Sequence, residues 1–252
     1  MALRSKLGRV LITGAAGRVA TAFRQFAGHR YSLRLAEKEL WMLPKVQSGE
    51  QLLAFDICDI EACRSACRNI DTVLHLAAVP PPETGFCVSL IDNNILGTFN
   101  IFRAAKDAGC QRVVFASSAH AVAGYPVGYQ VRPEDAPRPK NIYGASKAFG
   151  EGLAAYFAYQ EGLSTLAVRI ANLATLQSEP PKRHMSAREM SAFLSHRDAA
   201  DLLDRCIRVQ DVQHAVVHGI SNNRHKRLSL EETSQLLGYY PKDDAFALFG
   251  FT

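Results

Sequence analysis

The chain has 252 residues, enough for one large α/β domain or two small ones. Apolar residues make up 48% of it and charged residues 21%, a balance that predicts a folded core and argues against disorder. The formal net charge of +5 favours small anionic ligands but is too weak and too scattered to indicate nucleic-acid binding. The chain opens on no signal-peptide pattern and has no apolar stretch of membrane-spanning length, so we expect a cytoplasmic protein with no membrane partner.

The six cysteines do not have the pattern of a disulfide framework. Cys58, Cys63 and Cys67 are clustered, but Cys63 and Cys67 have helical spacing, and no fourth ligand lies nearby at the spacing of a zinc site. We therefore expect reduced, partly buried thiols and no metal.

Short apolar runs alternate with helical segments over the first two thirds of the chain. Strands are predicted at 9–13, 32–37, 51–56, 71–78, 111–118 and 164–172. Helices are predicted after the first strand, at 60–70, from about Phe86 to Ala108, and from Asn141 to Gly162. Such an alternation predicts a doubly wound α/β fold, with a parallel sheet and helices on both of its faces.

The pattern loosens after residue 172. A basic, proline-containing loop is followed by a helix that starts near His196, a strand at 214–221 and a last helix at 229–239. We interpret 1–172 as the core domain and 173–252 as a small C-terminal cap, interleaved with the core and not independent of it. The segment "NRHKR" at 223–227 is interpreted as a solvated basic loop.

A glycine-rich turn follows the first predicted strand and opens the first helix. Gly14, Gly17 and Ala20 form G-x-x-G-x-x-A, which provides a tight turn, a close approach of backbone to a pyrophosphate, and a small residue for helix–strand packing. Glu37, at the end of the second strand, can accept hydrogen bonds from ribose hydroxyls and opposes a 2′-phosphate. These features predict an NAD-binding Rossmann domain over 1–172, although Lys38 leaves NADP open.

Further cofactor contacts are expected where later strands end. Asp56 follows the third strand and can meet the adenine edge, with a solvated turn carboxylate as the alternative. The small residues of "LAA" (76–78) end the fourth strand where a dinucleotide would cross, with helix packing as the alternative. His75, inside that strand, is interpreted as a core histidine satisfied by hydrogen bonds.

Tyr143 and Lys147 lie four residues apart in "YGASK", one turn apart on one face of a helix. A surface pair is the ordinary alternative, but Ser117 and Ser118 end the fifth strand at the edge where doubly wound sheets bind ligands. For a phenol to act as a base near neutrality its pKa must fall by roughly 3 units, about 4 kcal/mol. A neighbouring ammonium and a positive nicotinamide ring can supply much of that. We therefore interpret Tyr143 as the base, Lys147 as the cation that tunes it, and Ser118 as the hydroxyl that orients the substrate alcohol.

Over nearly its whole length the chain resembles the extended short-chain dehydrogenase/reductases, the NAD-dependent epimerase/dehydratase group. The matching stretches are "TGAAGRV", "FDICD", "HLAA", "NNILGTFN", "VVFASS", "YGASK" and "VRIAN". The resemblance puts the catalytic set of the family on Ser118, Tyr143 and Lys147 and its structural helix asparagine on Asn94. The implied cofactor contacts are Gly14, Ala16, Gly17, Arg18, Val19, Glu37, Asp56, Ile57, Leu76, Ala77, Ala78, Asn94, Ser117, Tyr143, Lys147, Ile170 and Leu173.

Within this group the chain is most similar to uronate dehydrogenases, in "LRLAE", "VVFASSAH", "YGASKAFGE", "SAFLSHRDAADLL" and "LGYYPKDDAFALF". Those enzymes oxidise C1 of a uronate with NAD to a lactone, which implies the same reaction here on a sugar acid or a related aldose. Their substrate arginine falls on Arg188 and their substrate histidine on His120. Ala119 and Asn172 depart from their pattern, so the substrate pocket is altered. The implied substrate contacts are Ser118, Ala119, His120, Tyr143, Asn172 and Arg188.

Three functions stay open: a C1 sugar dehydrogenase, an epimerase or dehydratase acting on nucleotide sugars, and a non-catalytic NAD-binding regulator. Only 252 − 147 = 105 residues follow Lys147, which leaves little room for a cap that grips a nucleotide diphosphate. The intact Ser–Tyr–Lys set argues against a regulator. We expect a small sugar or sugar acid as the substrate and a homo-oligomer as the assembly.

Overall fold

The computed structural model describes residues 7–43, 45–80, 88–174 and 185–250. In these ranges seven parallel strands form one sheet, and two short strands pair in parallel as a separate ribbon. The strands are β1 (Arg9–Thr13), β2 (Ser32–Glu37), β3 (Glu50–Ala54), β4 (Thr72–His75), β5 (Arg112–Ser118), β6 (Ser164–Ile170), β7 (Asn172–Leu173), β8 (Phe193–Leu194) and β9 (His214–Gly219). The sheet has the order β3-β2-β1-β4-β5-β6-β9, and β7 pairs with β8.

Helices connect the strands and continue after the last one. They are α1 (Arg18–Phe26), α2 (Ile60–Cys67), α3 (Val88–Leu90), α4 (Thr98–Asp107), α5 (Ile142–Glu161), α6 (Ala187–Ser191), α7 (His196–Arg208), α8 (Glu231–Leu237) and α9 (Ala245–Phe249). A π-helical segment, Ile91–Gly97, joins α3 to α4. The single helix predicted from about Phe86 to Ala108 therefore contains a π-helical segment between two α-helical ones. Its predicted start at Phe86 lies outside the described residues.

Two apolar cores cover the two faces of the sheet. On one face, Phe23 of α1 and Leu203 of α7 pack in a cluster with Ile12 and Val168. On the other face, Phe102 of α4 and Phe157 of α5 pack in a cluster that also holds Val113. The central strands β4 and β5 are buried along their whole length, as the continuous apolar run at 71–78 predicted for β4. The doubly wound parallel fold is confirmed.

The segment after residue 172 contributes to the core sheet as well as to the region above it. Strand β9 pairs in parallel with β6, with Thr165 opposite His214 and Ile170 opposite Gly219. Helix α7 covers the same face as α1. The sequence placed both in a cap, because the pairing of an edge strand with a distant partner leaves no local signal. The short ribbon β7–β8 and helices α6 and α9 are not part of the main sheet, and residues of β8, α6 and α9 pack together in a separate apolar cluster.

Several smaller expectations can be compared with the structure. Buried His75 bonds through Nδ1 to Thr13 Oγ1 (2.8 Å) and through Nε2 to Thr98 Oγ1 (3.3 Å), which confirms a satisfied core histidine. Cys63 and Cys67 lie on α2 and are buried in the core. None of the helices in the described ranges is long and apolar enough to span a membrane.

The interpretation of 223–227 as a solvated loop is wrong for two of its residues. Asn223 is fully buried, and its amide nitrogen donates to the carbonyl of Phe193 (2.8 Å). Arg227 donates to backbone carbonyls of the segment 125–129. The basic composition of this segment predicted an exposed loop, but composition does not show that Asn223 is buried or that Arg227 bonds to a distant part of the chain.

Candidate active site

A cleft of about 440 Å³ opens at the carboxyl ends of the central strands. This is the edge at which doubly wound sheets bind ligands. The cleft brings together most of the residues expected to bind cofactor or substrate: Gly14, Gly17, Arg18, Val19, Leu76, Ala78, Ser117, Ser118, His120, Tyr143, Lys147, Ile170, Asn172 and Leu173. Ala116 and Ala171 also line it and were not singled out in the sequence, because a lone alanine in a strand has no distinguishing signal.

The glycine turn is shaped as a phosphate-binding turn requires. Gly14 has φ +68°, and a Cβ there would lie 2.7 Å from backbone atoms of Ala77, so both conformation and space require glycine. Gly17 is the N-cap of α1 but has no side chain to cap it, and the first turn of the helix contains no acidic residue. The helix start therefore offers uncapped amides and a positive dipole end to a pyrophosphate, which fits NAD.

Glu37 lies beside this turn, at the end of β2. Its carboxylate accepts the backbone amides of Ala16 (3.1 Å) and Lys38 (3.2 Å). The Lys38 ammonium lies 2.8 Å from the Asp56 carboxylate, and this hydrogen bond lowers the pKa of Asp56. Lys38 is thus directed toward Asp56, whereas the Glu37 carboxylate is bonded to an amide of the turn itself. This arrangement favours a ribose with two free hydroxyls over a 2′-phosphate.

Three other predicted cofactor residues have packing or bracing contacts and lie outside the cleft lining. Ile57 is buried against Gly97, and Ala77 approaches Gly14. Asn94, in the π-helical segment, accepts the amide of Val79 (2.8 Å) and donates to the Ser146 hydroxyl (3.2 Å). The asparagine therefore ties the loop after β4 to the helix that bears Tyr143, which agrees with a structural role. π-helical turns of this kind are frequent at functional sites.

Helix α5 presents Tyr143 and Lys147 to the cleft. Asn141 caps the helix by accepting the amide of Gly144 (2.7 Å). A Cβ at Gly144 would collide with the His120 carbonyl, so the small residue after Tyr143 lets the helix approach the chain segment that follows β5. The predicted helical spacing of the tyrosine and the lysine is confirmed.

Burial shifts the pKa values of Tyr143 and Lys147 in opposite directions. Lys147 is only 3% exposed, and burial lowers its pKa to about 7. Its Nζ lies 5.5 Å from the centre of the Tyr143 ring and 5.1 Å from that of Phe115. Burial raises the pKa of Tyr143, and a hydrogen bond with Ser118 partly opposes that rise. A nearby positive charge must therefore lower the pKa of this phenol for it to act as a base.

His120 forms the wall opposite the tyrosine. Its ring stands edge-on to the Tyr143 ring, with centroids 5.5 Å apart, and burial lowers its pKa. The amide nitrogen of Asn141 lies 3.1 Å from His120 Nδ1, and the amide oxygen is already used in the helix cap. Since an amide nitrogen only donates, Nδ1 is the acceptor and the proton of the neutral ring is on Nε2. His120 can thus donate a hydrogen bond to a substrate oxygen.

A buried ion pair lies directly behind the catalytic residues. Glu151, two turns along α5 from Tyr143, accepts hydrogen bonds from the Ser117 hydroxyl (2.5 Å) and from Arg169 (2.9 Å at each oxygen). Arg169 also donates to the carbonyls of Arg132 (3.3 Å) and Asp135 (3.1 Å). The network joins β5, β6 and α5 to the segment 132–135. The sequence did not reveal it, because its members are far apart in the chain.

Two residues expected to contact substrate do not line the cleft. Ala119 begins a 3₁₀ turn and packs in an apolar cluster above the sheet. Arg188, on α6, lines a different cavity together with Arg224 and Lys226. The neighbouring loop residues Lys182 and Arg183 lie outside the described residues.

The profile of the NAD dependent epimerase/dehydratase family matches residues 10–204. The chain belongs to this family. The family and the NAD cofactor predicted from the sequence are therefore confirmed.

Among family members, the chain is 37% identical over 251 residues to a NAD-dependent glucose-6-phosphate dehydrogenase of Haloferax volcanii, covering 94% of each chain. It is 32% identical over 257 residues to the L-arabinose 1-dehydrogenase (NAD(P)(+)) of the same organism, covering 95% of this chain and 98% of that one. The crystal structure of uronate dehydrogenase from Agrobacterium tumefaciens superposes with a TM-score of 0.83 at 31% identity, covering 96% of this chain and 86% of that one.

Proposed function

We propose that this family member is an NAD-dependent oxidoreductase that oxidises the C1 hemiacetal of a sugar acid (uronate) or a related aldose to a lactone. The observation that carries the proposal is the placement of Tyr143, Ser118 and His120 around one cleft that also contains the glycine turn. A substrate alcohol held there meets a base, a hydroxyl and a neutral imidazole. The names of the three relatives above support oxidation of a sugar, and one of them specifies position 1.

Proton removal from the C1 hydroxyl is assigned to Tyr143. Its phenolate is the general base, and the Ser118 hydroxyl, which already bonds to it, orients the sugar hydroxyl between them. The protonated Lys147 stabilises the phenolate through its charge. Because the pKa of Lys147 is about 7, its charged fraction changes around neutrality, and a phenolate nearby favours the charged form.

When bound, NAD supplies the nicotinamide ring that accepts hydrogen from C1. The uncapped start of α1 at Gly17 and the turn at Gly14 would hold its pyrophosphate, and Glu37 would accept hydrogen bonds from its ribose. His120 Nε2 would donate to the ring oxygen or to a hydroxyl of the sugar. These contacts would hold the sugar beside the base, Tyr143.

A screen for NADH formation tests the proposed function. The purified chain is incubated with NAD and, separately, with uronates, neutral aldoses and aldose phosphates. We expect NADH from at least one of these sugars, and a lactone as the first product by NMR. NADH release without a lactone would contradict oxidation at C1. With nucleotide sugars added as a further substrate class, their conversion without net NADH would favour the redox-neutral epimerase or dehydratase alternative. The homo-oligomeric assembly stays a prediction, to be measured by light scattering.

A further inference from the structure

A second cavity, of about 710 Å³, is lined by several basic side chains. We propose that this basic cavity binds the phosphate group of a phosphorylated aldose, and so selects a sugar phosphate as the substrate. The proposal rests on the proposed function and narrows its substrate class. The cationic residues of its lining are Arg188, Arg224, Lys226 and Arg227, and no acidic side chain is among its described lining residues.

One of these cations has a structural task. The Arg227 guanidinium donates to the carbonyls of Pro126 (2.7 Å), Tyr125 (2.8 Å) and Tyr129 (3.3 Å). These hydrogen bonds engage the guanidinium with the protein itself and hold the backbone around Tyr129, which lines the basic cavity. Arg188 and Arg224 are exposed, and Lys226 is half-buried. Within the described ranges, none of these three side chains forms an ion pair, so their charges are available to a ligand.

Two acidic side chains near the basic cavity form hydrogen bonds with other parts of the protein. Asp244 accepts the backbone amides of Arg224 (3.1 Å) and Phe246 (3.0 Å), and thereby caps α9. Asp135 accepts the hydroxyl of Tyr129 (3.0 Å). Neither carboxylate is among the described lining residues of the cavity. The cavity therefore keeps a surplus of positive charge.

The number of cations indicates phosphate over carboxylate. A carboxylate carries one charge, and one arginine fork satisfies it. A phosphate monoester carries about −1.5 to −2 charges near pH 7 and has three strong acceptor oxygens, which suits two or three converging cations. The cations are also close enough to repel one another: the charge of Arg188, after burial, lowers the pKa of Arg227. A bound dianion would relieve that repulsion.

The backbone connects the basic cavity to the substrate end of the cleft. The Ala192 carbonyl accepts the amide of Asn172 (2.7 Å), which lines the cleft, and the carbonyl of the preceding residue, Ser191, accepts the amide of Arg227 (2.8 Å). The segment that carries His120 into the cleft continues to Val127 and Tyr129 in the basic cavity. Under the proposal, this adjacency is the path by which a sugar with C1 at the phenol would reach the cations with its other end.

The double variant Arg224→Gln/Lys226→Gln tests the proposal. The control is Lys45→Gln/Arg68→Gln, which removes two exposed charges from residues that line neither cavity. The assay compares kcat/KM for glucose 6-phosphate and for glucose. We expect the wild type to prefer the phosphate ester at least tenfold. The test variant should lose at least tenfold on the ester and less than twofold on glucose, and the control should match the wild type. Equal losses on both sugars, or no preference in the wild type, would overturn the proposal.

Direct binding of inorganic phosphate, followed by calorimetry, separates failure of this proposal from failure of the proposed function. We expect saturable binding that the test variant weakens at least tenfold, and competitive inhibition by inorganic phosphate against glucose 6-phosphate. Oxidation of uronates or neutral aldoses without phosphate binding would overturn the subsite and leave the dehydrogenase standing. Phosphate that binds the basic cavity but changes the rate without competing with the ester would be a separate ligand, and would overturn the substrate assignment.

Discussion

The carboxylate of Glu151 joins the catalytic helix to the sheet, and Glu151→Gln removes its charge while keeping its shape. Glu151 is 5% exposed and its partner Arg169 1%, so the substitution leaves a guanidinium buried without a countercharge. Breaking one side of a buried pair costs about 3–5 kcal/mol. The Ser117 hydroxyl also loses a charged acceptor. We therefore expect a loss of stability of that size together with displacement of Tyr143.

The control for this prediction is Glu50→Gln. Glu50 pairs with Arg24 at 2.6 Å, with side chains 6% and 4% exposed, and this pair joins α1 to β3 away from the catalytic helix. Both variants should lose similar stability in urea unfolding followed by circular dichroism. Only Glu151→Gln should also lower kcat, by roughly 10- to 100-fold, because a misplaced base loses rate steeply. If both variants keep wild-type kcat, the buried network stabilises the fold and does not position the base.

Three further predictions concern charge. Glu37 should make NAD preferred over NADP in kcat/KM, and a preference for NADP would show that a cation dominates the ribose site. Arg188→Ala should weaken kcat/KM for an anionic sugar by roughly 2–4 kcal/mol and barely affect a matched neutral aldose, whereas equal losses would mean that Arg188 only supports its loop. Burial lowers the pKa of His75 to about 3 and that of His218 to about 4, so below pH about 6.5 the unfolded chain binds protons that the folded chain does not. The free energy of unfolding should therefore fall as the pH drops from 6.5 toward 4, by up to about 1.4 kcal/mol per unit for each histidine, and a flat profile in urea melts would refute this.

Patterns among residues that are close in the sequence were enough to predict the nucleotide-binding half. The turn at Gly14, the helix that begins at Arg18 and the four-residue spacing of Tyr143 and Lys147 are each determined by neighbours in the chain, and the structure has all three as expected. Strand ends were less predictable: β4 stops at His75, and residues 76–78 continue as a loop.

Features that depend on distant residues were missed. The pairing of Glu151 with Arg169 and the addition of β9 to the sheet join parts of the chain that share no local pattern. Arg188 could be found by resemblance, but its neighbours Arg224 and Lys226 could not, because a basic pentapeptide looks like an ordinary exposed loop. Only the folded path of the chain brings these cations around one cavity.

The most direct test of the central claim is the rate of NADH formation by wild type and Tyr143→Phe with the best sugar from the screen, at saturating NAD. The substitution removes the phenol oxygen and little else, so NAD affinity, measured by fluorescence titration, should stay nearly unchanged. We predict that the variant retains less than about a tenth of wild-type kcat, within the range for loss of a general base. A variant that binds NAD normally and keeps more than that would contradict the assignment of Tyr143 as the base.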